Sequence, residues 1–540
     1  MADATDTLTL TVDGTEVTVP DDGASLLEVL RDRIGVHGPK DGCSPQGQCG
    51  CCTVLVDGAA RVACVTPARR VAGRAVTTVD GLDPEVAGRW AGALCATGGS
   101  QCGFCTPGII TRLAALRAKT PDVSAHAPVH RALQAHLCRC TGWQTIVEAW
   151  DRYDDVTVDG ALCGAEADRD VDTAARRPDA GAAADRDLDA AARRAAIEGR
   201  TPQRVGPDVA LGRGGFAEDT APDDALVAVP DGAGGWAVAD TLVAARRLAG
   251  KVQGRRTTVA AEPPLALPPG EWAVTLRTSW VEPAYLEVDA TWCAPGGDPA
   301  SVLANGGAFG GKVASPLGEV ARRLADEHGR PVRVLWSRED AVRHGPKRPP
   351  IAAGVRPDGT GVVRVVRTPG IAEVIAAAAP GLEVTEVDVA GPPTSAALRA
   401  AGWAEAAVLL AAARGAAGEV ESPDGGRASA EVADGRIRVS VDAGRPLDEV
   451  VLRSYAIGAA HMAWGWVTSE GLAVDDEGEV RDLTVRSFGV PRAVDTPSID
   501  VTIVASDRDP VNGSDAVFAA VAAAVWLDRG CPTDWPTGAR

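Results

Sequence analysis

Apolar and polar residues alternate in two pairs of short segments near the start of the chain. An Asp-Gly pair separates the members of each pair, which is a strong hairpin signal. The segments are residues 7–12 with 15–19, around Asp13-Gly14, and 53–56 with 60–64, around Asp57-Gly58. Between them, residues 24–34 carry leucine, valine and isoleucine at helical spacing. This pattern predicts a compact α+β domain over residues 1–82.

From residue 83 the apolar spacing becomes helical. Four segments show it, with glycines, a proline or Thr141-Gly142 between them: 84–96, 107–118, 126–137 and 142–153. Four short helices predict a helical domain over residues 83–158. Residues 159–203 are rich in Ala, Asp and Arg and have no apolar periodicity, which predicts a flexible linker.

A third region, residues 204–540, mixes both kinds of pattern and predicts a further α+β region. The predicted strands are Trp272–Arg277, Tyr285–Asp289, Pro331–Trp336, Ile437–Val441, Asp482–Phe488 and Ile499–Val504. The predicted helices are Asp240–Ala249, Pro316–Glu327, Ser395–Arg414 and Asp515–Trp526. The fold class that we expect is therefore multidomain α+β.

Composition narrows the classes of function. The chain has 540 residues, of which 45% are apolar and 24% charged, and its net charge is −19. Spread negative charge disfavours binding to nucleic acid or to an anionic membrane. The longest apolar run, Ala516–Leu527, is too short to cross a bilayer. The first eight residues contain two aspartates and no apolar stretch, so no signal peptide is indicated and we expect a cytoplasmic protein.

Two cysteine groups carry the clearest chemistry. The first is Cys43, Cys49, Cys52 and Cys64; the second is Cys102, Cys105, Cys138 and Cys140. Thiolates are the ligands of iron–sulfur clusters, four to each cluster, and the first spacing is close to the plant-type ferredoxin pattern. The sequence therefore predicts a two-cluster electron-transfer module in its N-terminal part.

Zinc binding and disulfide formation fit these cysteines less well than iron–sulfur clusters do. Zinc sites favour two CxxC-like pairs or added histidines, which the CxC pair and the long first spacing fit poorly. Disulfide frameworks belong to small secreted chains. Cysteines outside the two groups have no partner pattern and are predicted to be buried thiols: Cys51, Cys95, Cys163, Cys293 and Cys531.

Three motifs give the N-terminal 155 residues a family resemblance. They are GCSPQGQCGCCTVLVDG at residues 42–58, QCGFCTPG at 101–108 and CRCTGW at 138–143. Together they resemble the iron–sulfur part of the xanthine oxidase family of molybdenum hydroxylases. The resemblance implies a β-grasp plant-type [2Fe-2S] domain, then a four-helix [2Fe-2S] domain. Cys51 departs from the family, where a small residue is usual, and it could replace its neighbour Cys52 as a ligand.

The third region resembles a shortened form of the family's molybdopterin-binding subunit. The sequence NGGAFGGK at 305–312 is similar to its glycine-rich loop, and glycines there let backbone amides approach a cofactor. The resemblance implies cofactor contacts from eight residues: Gln101, Gly306, Gly307, Ala308, Phe309, Gly310, Gly311 and Arg399. It also extends to residues 334–350, with Arg338 and Arg348 matching, and to 488–499.

Two departures affect the implied chemistry. Met462-Ala463-Trp464-Gly465 stands where the family has a QGxG loop, so one expected contact is missing. Near the end, Pro510–Ala516 contains no glutamate where the family has a catalytic one. Asp515 is the only carboxylate there, and we expect it either to be the general base or to be the N-terminal cap or a first-turn acid of a helix.

The function that the resemblance implies is oxidation of an aldehyde or an N-heterocycle with oxygen from water. Its cofactors would be two [2Fe-2S] clusters and a molybdenum-molybdopterin. Nothing in the chain resembles a flavin domain, so the partner would be a separate FAD-containing subunit or another electron acceptor. An alternative is an iron–sulfur electron carrier with a degenerate molybdenum domain. A third is a ferredoxin module attached to an unrelated domain.

Overall fold

The computed structural model describes residues 6–120, 125–156, 186–250 and 259–538. Cys163 and most of the predicted linker lie outside these residues. No helix in the described ranges is long and apolar enough to cross a bilayer.

The N-terminal sheet confirms both predicted hairpins. Its five strands are, in spatial order, Thr15–Pro20, Thr7–Val12, Ala75–Thr77, Thr53–Val56 and Ala59–Val62. Asp13 and Asp57 have positive φ angles, as do the glycines that follow them, which is the backbone that tight hairpin turns require. The predicted helix is an α turn, Leu26–Glu28, that continues as a π-helix, Val29–Arg33. Ser25 and Glu28 form a capping box at its start, which satisfies free backbone N–H groups there.

The next region contains the four predicted helices. They are Pro84–Thr97, Thr106–Lys119, His126–Leu133 and Gln144–Arg152. Asp83 caps the first of them and Gly98 ends it in a left-handed conformation, as glycine does at helix C-termini. Trp90 and Trp150 are buried in this bundle, with ring centroids 5.8 Å apart. The second cysteine group lies on the loops at the helix ends.

Three further sheets build the third region. One has strands Trp236–Ala239, Leu226–Pro230, Val332–Leu335 and Ala290–Cys293. The second has Leu382–Val387, Gly361–Val366, Ile351–Val355, Val274–Thr278 and Asp534–Trp535. The third has Val420–Glu421, Arg427–Ala433, Arg436–Asp442 and Ser498–Ile503. All three mix parallel and antiparallel pairs.

Helices pack on these sheets. The α-helices are Pro207–Ala210, Leu242–Ala249, Leu317–His328, Arg338–His344, Ile371–Ala378, Trp403–Arg414, Glu449–Thr468 and Ser514–Asp528. The 3-10 turns among the described residues are Ala63–Val65, Ala68–Val71, Tyr153–Asp155 and Ala217–Asp219. Glu449–Thr468 and Ser514–Asp528 are buried along almost their whole length, so they form the centre of this region.

The linker prediction for residues 159–203 is wrong at its C-terminal end. Leu188–Gly199 is an α-helix, capped by Asp187. Its Ala191 and Ala195 pack on Val451 and Tyr455. The buried Arg194 donates hydrogen bonds to the carbonyls of Pro446 and Val511. Tertiary packing of an alanine face has overridden a composition that is typical of linkers.

Three element predictions in the third region are also corrected. Residues 285–289 are irregular, and the strand there is Ala290–Cys293. Ser395–Arg414 is helical only from Trp403, because Ala400 and Gly402 take positive φ angles. Residues 482–488 form a turn, since the side chain of Gln46 bonds the carbonyl of Leu483 and the amide of Val485. A contact from another domain thus replaces the strand.

Candidate functional site

The four cysteines of the first group converge beneath one loop. All four are buried: Cys43, Cys49, Cys52 and Cys64. The Cys43 sulfur is hydrogen-bonded with the thiols of Cys49 and Cys64, and these bonds lower its pKa well below the usual range. The backbone amide of Gln46 donates to the same sulfur at 3.2 Å. Such N–H groups stabilise a cluster's sulfur ligands and tune its potential.

The second group closes in two pairs. Cys102 and Cys140 lie with their sulfurs 3.5 Å apart. Cys105 pairs with Cys138, and this hydrogen bond, with help from Thr141, lowers the pKa of the Cys138 thiol to about 6. Two loops that are distant in sequence therefore bring four sulfur donors to one buried place, which fits the ligand set of an iron–sulfur cluster.

A backbone contact joins the two cysteine groups. The amide of Leu137 donates to the carbonyl of Cys49 at 2.9 Å, and each residue is, or adjoins, a predicted ligand. Gly50 has no room for a side chain, since a Cβ atom there would lie 2.4 Å from the His136 ring. Burial, and then the charge of Arg112, lower the pKa of His136 to about 4. The two predicted cluster sites are thus in direct contact through buried, neutral groups.

Cys51 lies in this contact region. Its side chain is fully buried, and its sulfur hydrogen-bonds with Cys49. The neighbouring Cys52 instead faces Cys64, whose amide reaches its sulfur at 3.5 Å. The arrangement favours Cys52 over Cys51 as the fourth ligand.

The glycine-rich loop lies against the second cysteine group. A Cβ atom on Gly307 would be 3.0 Å from both the Cβ and the Sγ of Cys102, so only glycine allows this approach. Asn305 fixes the loop by donating to the Cys102 carbonyl at 3.2 Å. A small cavity lies between the loop and the cysteines. It is lined by Cys102, Cys105, Arg139, Cys140, Tyr285, Leu286, Glu287, Gly306, Gly307, Ala308 and Lys312.

Charged groups give this cavity its polarity. Lys312 forms an ion pair of 2.9 Å with Glu287. Burial, opposed by Lys312, raises the pKa of Glu287 to about 7. Arg139 contributes a second cation to the lining. Close by, Arg338 is fully buried, and its Nε and Nη1 atoms have no hydrogen-bond partner among the residues that the structure describes. Cations beside a glycine loop fit an anionic cofactor such as a pterin phosphate.

A second cavity also has Arg139 in its lining. Aromatic and apolar side chains line most of it, together with three arginines and two glutamates. The lining is Arg139, Val281, Glu282, Pro283, Phe309, Arg348, Leu398, Arg399, Met462, Trp466, Glu470 and Phe518. An apolar wall with a few polar groups is typical of a small-molecule site.

Each arginine of the second cavity is held by a carboxylate. Arg139 binds both oxygens of Glu470, at 2.6 and 2.7 Å. Arg348 binds Glu405 in the same two-pronged way, at 2.7 and 2.9 Å. Arg399 lies 3.3 Å from Asp515. These pairs keep the guanidinium groups fixed at the cavity wall, with little net charge.

The predicted cofactor contacts divide into four sets. Gly306, Gly307 and Ala308 line the first cavity, whereas Phe309 and Arg399 line the second, with the guanidinium 4.8 Å from the ring centroid. Gly310 and Gly311 pack instead against Ala397 and Tyr285. Gln101 donates its amide hydrogens to the Cys140 carbonyl and to Ser454.

Asp515 lies in the first turn of the helix Ser514–Asp528, as predicted for a first-turn acid. The predicted cap role is wrong, because the N-cap residue is Gly513. Its carboxylate is bound by Arg200 at 2.7 Å and by Arg399 at 3.3 Å. Met462, at the position of the missing glutamine, lies within the helix Glu449–Thr468 and receives a hydrogen bond from Arg399 on its sulfur.

Sequence reasoning did not identify Arg139 and Glu470, which form the wall between the cavities. Arg139 could have been noticed, because it stands between two predicted ligands, Cys138 and Cys140. Glu470 has no motif around it. Burial raises its pKa despite the Arg139 partner, which is a property of functional carboxylates.

Comparisons with known proteins agree with this geometry. Residues 10–77 match the 2Fe-2S iron-sulfur cluster binding domain family, and residues 78–151 match the [2Fe-2S] binding domain family. Each match contains one of the two cysteine groups. The chain therefore contains two [2Fe-2S]-binding domains in series.

Two relatives show how far the sequence likeness extends. The chain is 43% identical to isoquinoline 1-oxidoreductase subunit alpha of Brevundimonas diminuta over 128 residues, which are 24% of this chain and 82% of the relative. It is 42% identical to an aldehyde oxidoreductase of Megalodesulfovibrio gigas over 145 residues. That match covers 26% of this chain and only 16% of the relative's length.

Structural likeness extends further than sequence likeness. The aldehyde oxidoreductase structure from Desulfovibrio gigas superposes with a TM-score of 0.66 and covers 99% of both chains, at 15% identity. A likeness at this identity concerns the fold alone. It confirms the multidomain α+β architecture, including the part beyond the cluster domains.

Proposed function

Because the chain belongs to the xanthine oxidase family of molybdenum hydroxylases, we propose that it is a molybdenum-dependent oxidoreductase. Its substrate would be an aldehyde or an N-heterocycle, and the oxygen would come from water. Electrons would leave through two [2Fe-2S] clusters to an external acceptor, for which a separate FAD-containing subunit is one candidate.

The observation that carries this proposal is the cavity shared by the second cysteine group and the glycine loop. Its lining fits the cofactor in two respects: Gly306 and Gly307 place no side chain between backbone and cavity, and Lys312 and Arg139 bring hydrogen-bond donors for an anionic group to the lining. Gly306, Gly307, Ala308 and Lys312 would hold the molybdopterin. When bound, this group supplies the oxidation of the substrate.

Residues of the second cavity would bind and orient the substrate. Aromatic surface for a planar ring or an aldehyde side chain would come from Phe309, Trp466 and Phe518. The arginine–carboxylate pairs leave little net charge at the wall, which suits a neutral substrate. Water would be largely excluded by these apolar walls, which strengthens each polar contact inside.

Two carboxylates are candidates for the base. Asp515 remains the proposed base, supported by its contact with Arg399 at the cavity. Glu470 is the second candidate, because it lines the cavity itself and burial raises its pKa. Replacing Asp515 by asparagine should abolish turnover if it is the base, while the cofactor content holds. If Asp515→Asn retains full turnover and Glu470→Gln loses it, the base is Glu470.

The two clusters bound by the eight cysteines would carry the electrons outward. The ligands would be Cys102, Cys105, Cys138 and Cys140 for the near cluster, and Cys43, Cys49, Cys52 and Cys64 for the plant-type cluster. The hydrogen bond from Leu137 to Cys49 supports this order, since it links the two ligand sets through one backbone contact. Two clusters in series would divide a two-electron oxidation into single-electron steps.

A test can separate this proposal from the carrier alternative. The protein is produced with molybdate or with tungstate and mixed anaerobically with an aldehyde or an N-heterocycle. We expect the cluster absorbance to bleach in the molybdate sample only. The alternative is favoured by the internal bonds of Gln101 and by the Glu287–Lys312 pair, which already occupy groups that would face a cofactor. It predicts that dithionite bleaches the clusters whereas no substrate does.

A further inference from the structure

The segment that contains the first cysteine group and its neighbouring strands is positively charged, unlike the protein as a whole. Between Asp41 and Asp80 the chain has four arginines and one aspartate, a local charge of +3, whereas the whole chain carries −19. The arginines are Arg61, Arg69, Arg70 and Arg74. Arg69 and Arg74 pair with Asp21 and Asp57. Arg61 and Arg70 are exposed and have no carboxylate partner among the described residues.

A fifth arginine reaches the same place from the third region. Arg486 is exposed, and it bonds the Gln48 carbonyl through its Nε at 3.1 Å. Nearby thiols of Cys43 and Cys49 interact with its charge. It too has no carboxylate partner in the described part of the chain. The turn that carries it replaced a predicted strand, so the fold places this cation over the cysteine loop.

An exposed apolar residue stands among these cations. Val65 follows the predicted ligand Cys64 directly and is 51% exposed. It is the one large apolar side chain that is exposed among the described residues before residue 157. Its side chain packs against Gly47, which adjoins Gln48 and thus Arg486. Arg61 precedes it by four residues, which is at most about 14 Å of chain.

We infer that Gly47, Gln48, Arg61, Val65 and Arg486, here called the cluster-loop surface, dock an acidic redox protein that accepts electrons from the plant-type cluster. An apolar centre with an arginine rim is the composition of protein interfaces. Cations without a carboxylate partner beside the plant-type cluster, in an otherwise acidic chain, steer a negatively charged partner to this surface. The inference rests on the proposed function and specifies its external acceptor.

The step itself is a one-electron transfer. A reduced plant-type cluster gives one electron to the docked acceptor and returns to its oxidised form, and the acceptor is reduced by that electron. No bond forms or breaks. Proximity favours this exit, because Val65 is separated from the ligand Cys64 by a single peptide bond.

Two purified acceptors of opposite charge test the surface on the full chain. The clusters are first reduced with dithionite, and excess reductant is removed. Oxidised plastocyanin, which is acidic, and oxidised mitochondrial cytochrome c, which is basic, are then mixed with it anaerobically. We expect the rate with plastocyanin to fall at least tenfold as salt rises from about 0.01 to about 0.5 M, and the rate with cytochrome c not to fall.

Variants locate the effect. Arg61→Gln combined with Arg486→Gln should slow plastocyanin reduction several-fold at low salt. Arg486→Lys, which keeps the charge, should remain close to the parent. Arg414→Gln is the matched control, because it removes one exposed arginine, without a carboxylate partner in the described ranges, from the helix Trp403–Arg414. Val65→Glu should slow plastocyanin and spare cytochrome c.

Three results would overturn the inference. The first is a rate of plastocyanin reduction that is independent of salt. The second is an equal loss of this rate in Arg414→Gln. The third is self-association at low salt that Arg61→Gln combined with Arg486→Gln abolishes. The last would assign the surface to a second, acidic copy of this chain. Since the clusters are reduced chemically, a failure to oxidise any substrate overturns the proposed function and leaves this measurement intact.

Discussion

The two cysteine groups and the two cavities are built in different ways. Each cysteine group takes its ligands from a short part of the chain, within residues 43–64 or 102–140. The cavities are assembled from distant parts: the Arg139–Glu470 pair joins residues 331 positions apart. A cluster site of this kind depends on local loops, whereas the cavities depend on the whole fold. Variants that disrupt the cavities should therefore leave the clusters intact. Variants that remove a cluster are less certain to leave the cavities intact.

The largest effect is expected from the cluster ligands themselves. Cys138→Ser should abolish the electron paramagnetic resonance signal of the near cluster and spare that of the plant-type cluster. Cys49→Ser should do the opposite. Cys51→Ala should leave both signals, because its sulfur is directed to Cys49 whereas Cys52 faces Cys64. Loss of both signals in Cys138→Ser would show that the two sites do not form independently.

A large loss of stability is expected from Glu405→Ala. It leaves the Arg348 guanidinium buried without its carboxylate, which costs about 3–5 kcal/mol of unfolding free energy. Chemical denaturation, followed by tryptophan fluorescence, measures it. Iron content should hold. The control is Glu327→Ala, which removes an exposed pair with Arg323 and should barely move the midpoint. Equal loss of iron and stability in Glu405→Ala would contradict the separation of the two regions.

A pH effect is expected from His136, which lies between the two cysteine groups. Its pKa is lowered from 6.5 to about 4 by burial and then by Arg112. The folded state thus binds this proton less tightly, and the stability from neutral His136 is present above pH 6.5 and lost as pH falls towards 4. The total is about 3 kcal/mol.

His136→Gln should reduce the loss of unfolding free energy between pH 7 and pH 4 by that amount. Denaturation midpoints of parent and variant at several pH values measure it. His328→Gln, which changes an exposed histidine at a helix end, should leave the pH profile unchanged. The same profile in His136→Gln as in the parent would mean that His136 does not titrate over this range.

The smallest effect is expected at the contact between the two kinds of site. Gly307 has a φ of +82° and touches Cys102, so Gly307→Ala adds both backbone strain and a collision. Strain alone costs roughly 1–2 kcal/mol. The matched control is Gly14→Ala, whose φ of +83° is similar but whose Cβ meets nothing within 4 Å. Gly307→Ala should alter the near-cluster signal, whereas Gly14→Ala should lower stability only.

Much of the structure of the two cluster-binding domains could be predicted from the sequence. Hairpins with Asp-Gly turns and helices with caps are local signals, and each was found where the pattern indicated. The third region was harder. Residues 482–488 form a turn and not the predicted strand, because the side chain of Gln46 bonds them. Leu188–Gly199 is a helix, which the sequence did not predict, because it packs on Val451 and Tyr455. Both outcomes come from contacts with distant residues, which no local pattern records.

The candidate cavity residues divide in the same way. The glycine loop had a motif, and its Gly306, Gly307 and Ala308 do line a cavity. Arg139 lies within a motif, but Glu470 does not, and an ion pair across 331 positions leaves no trace in the sequence around either residue. The roles of the cysteines and of Asp515 stay predictions that the variants above can test.

Metal content tests the central claim most directly. We expect this chain to bind two [2Fe-2S] clusters and one molybdenum cofactor. Protein produced with molybdate should contain about four irons and one molybdenum per chain, release a pterin on denaturation, and show two distinct signals when reduced. Four irons without molybdenum would contradict the enzyme and leave an electron carrier. A single signal would contradict the two-cluster assignment itself.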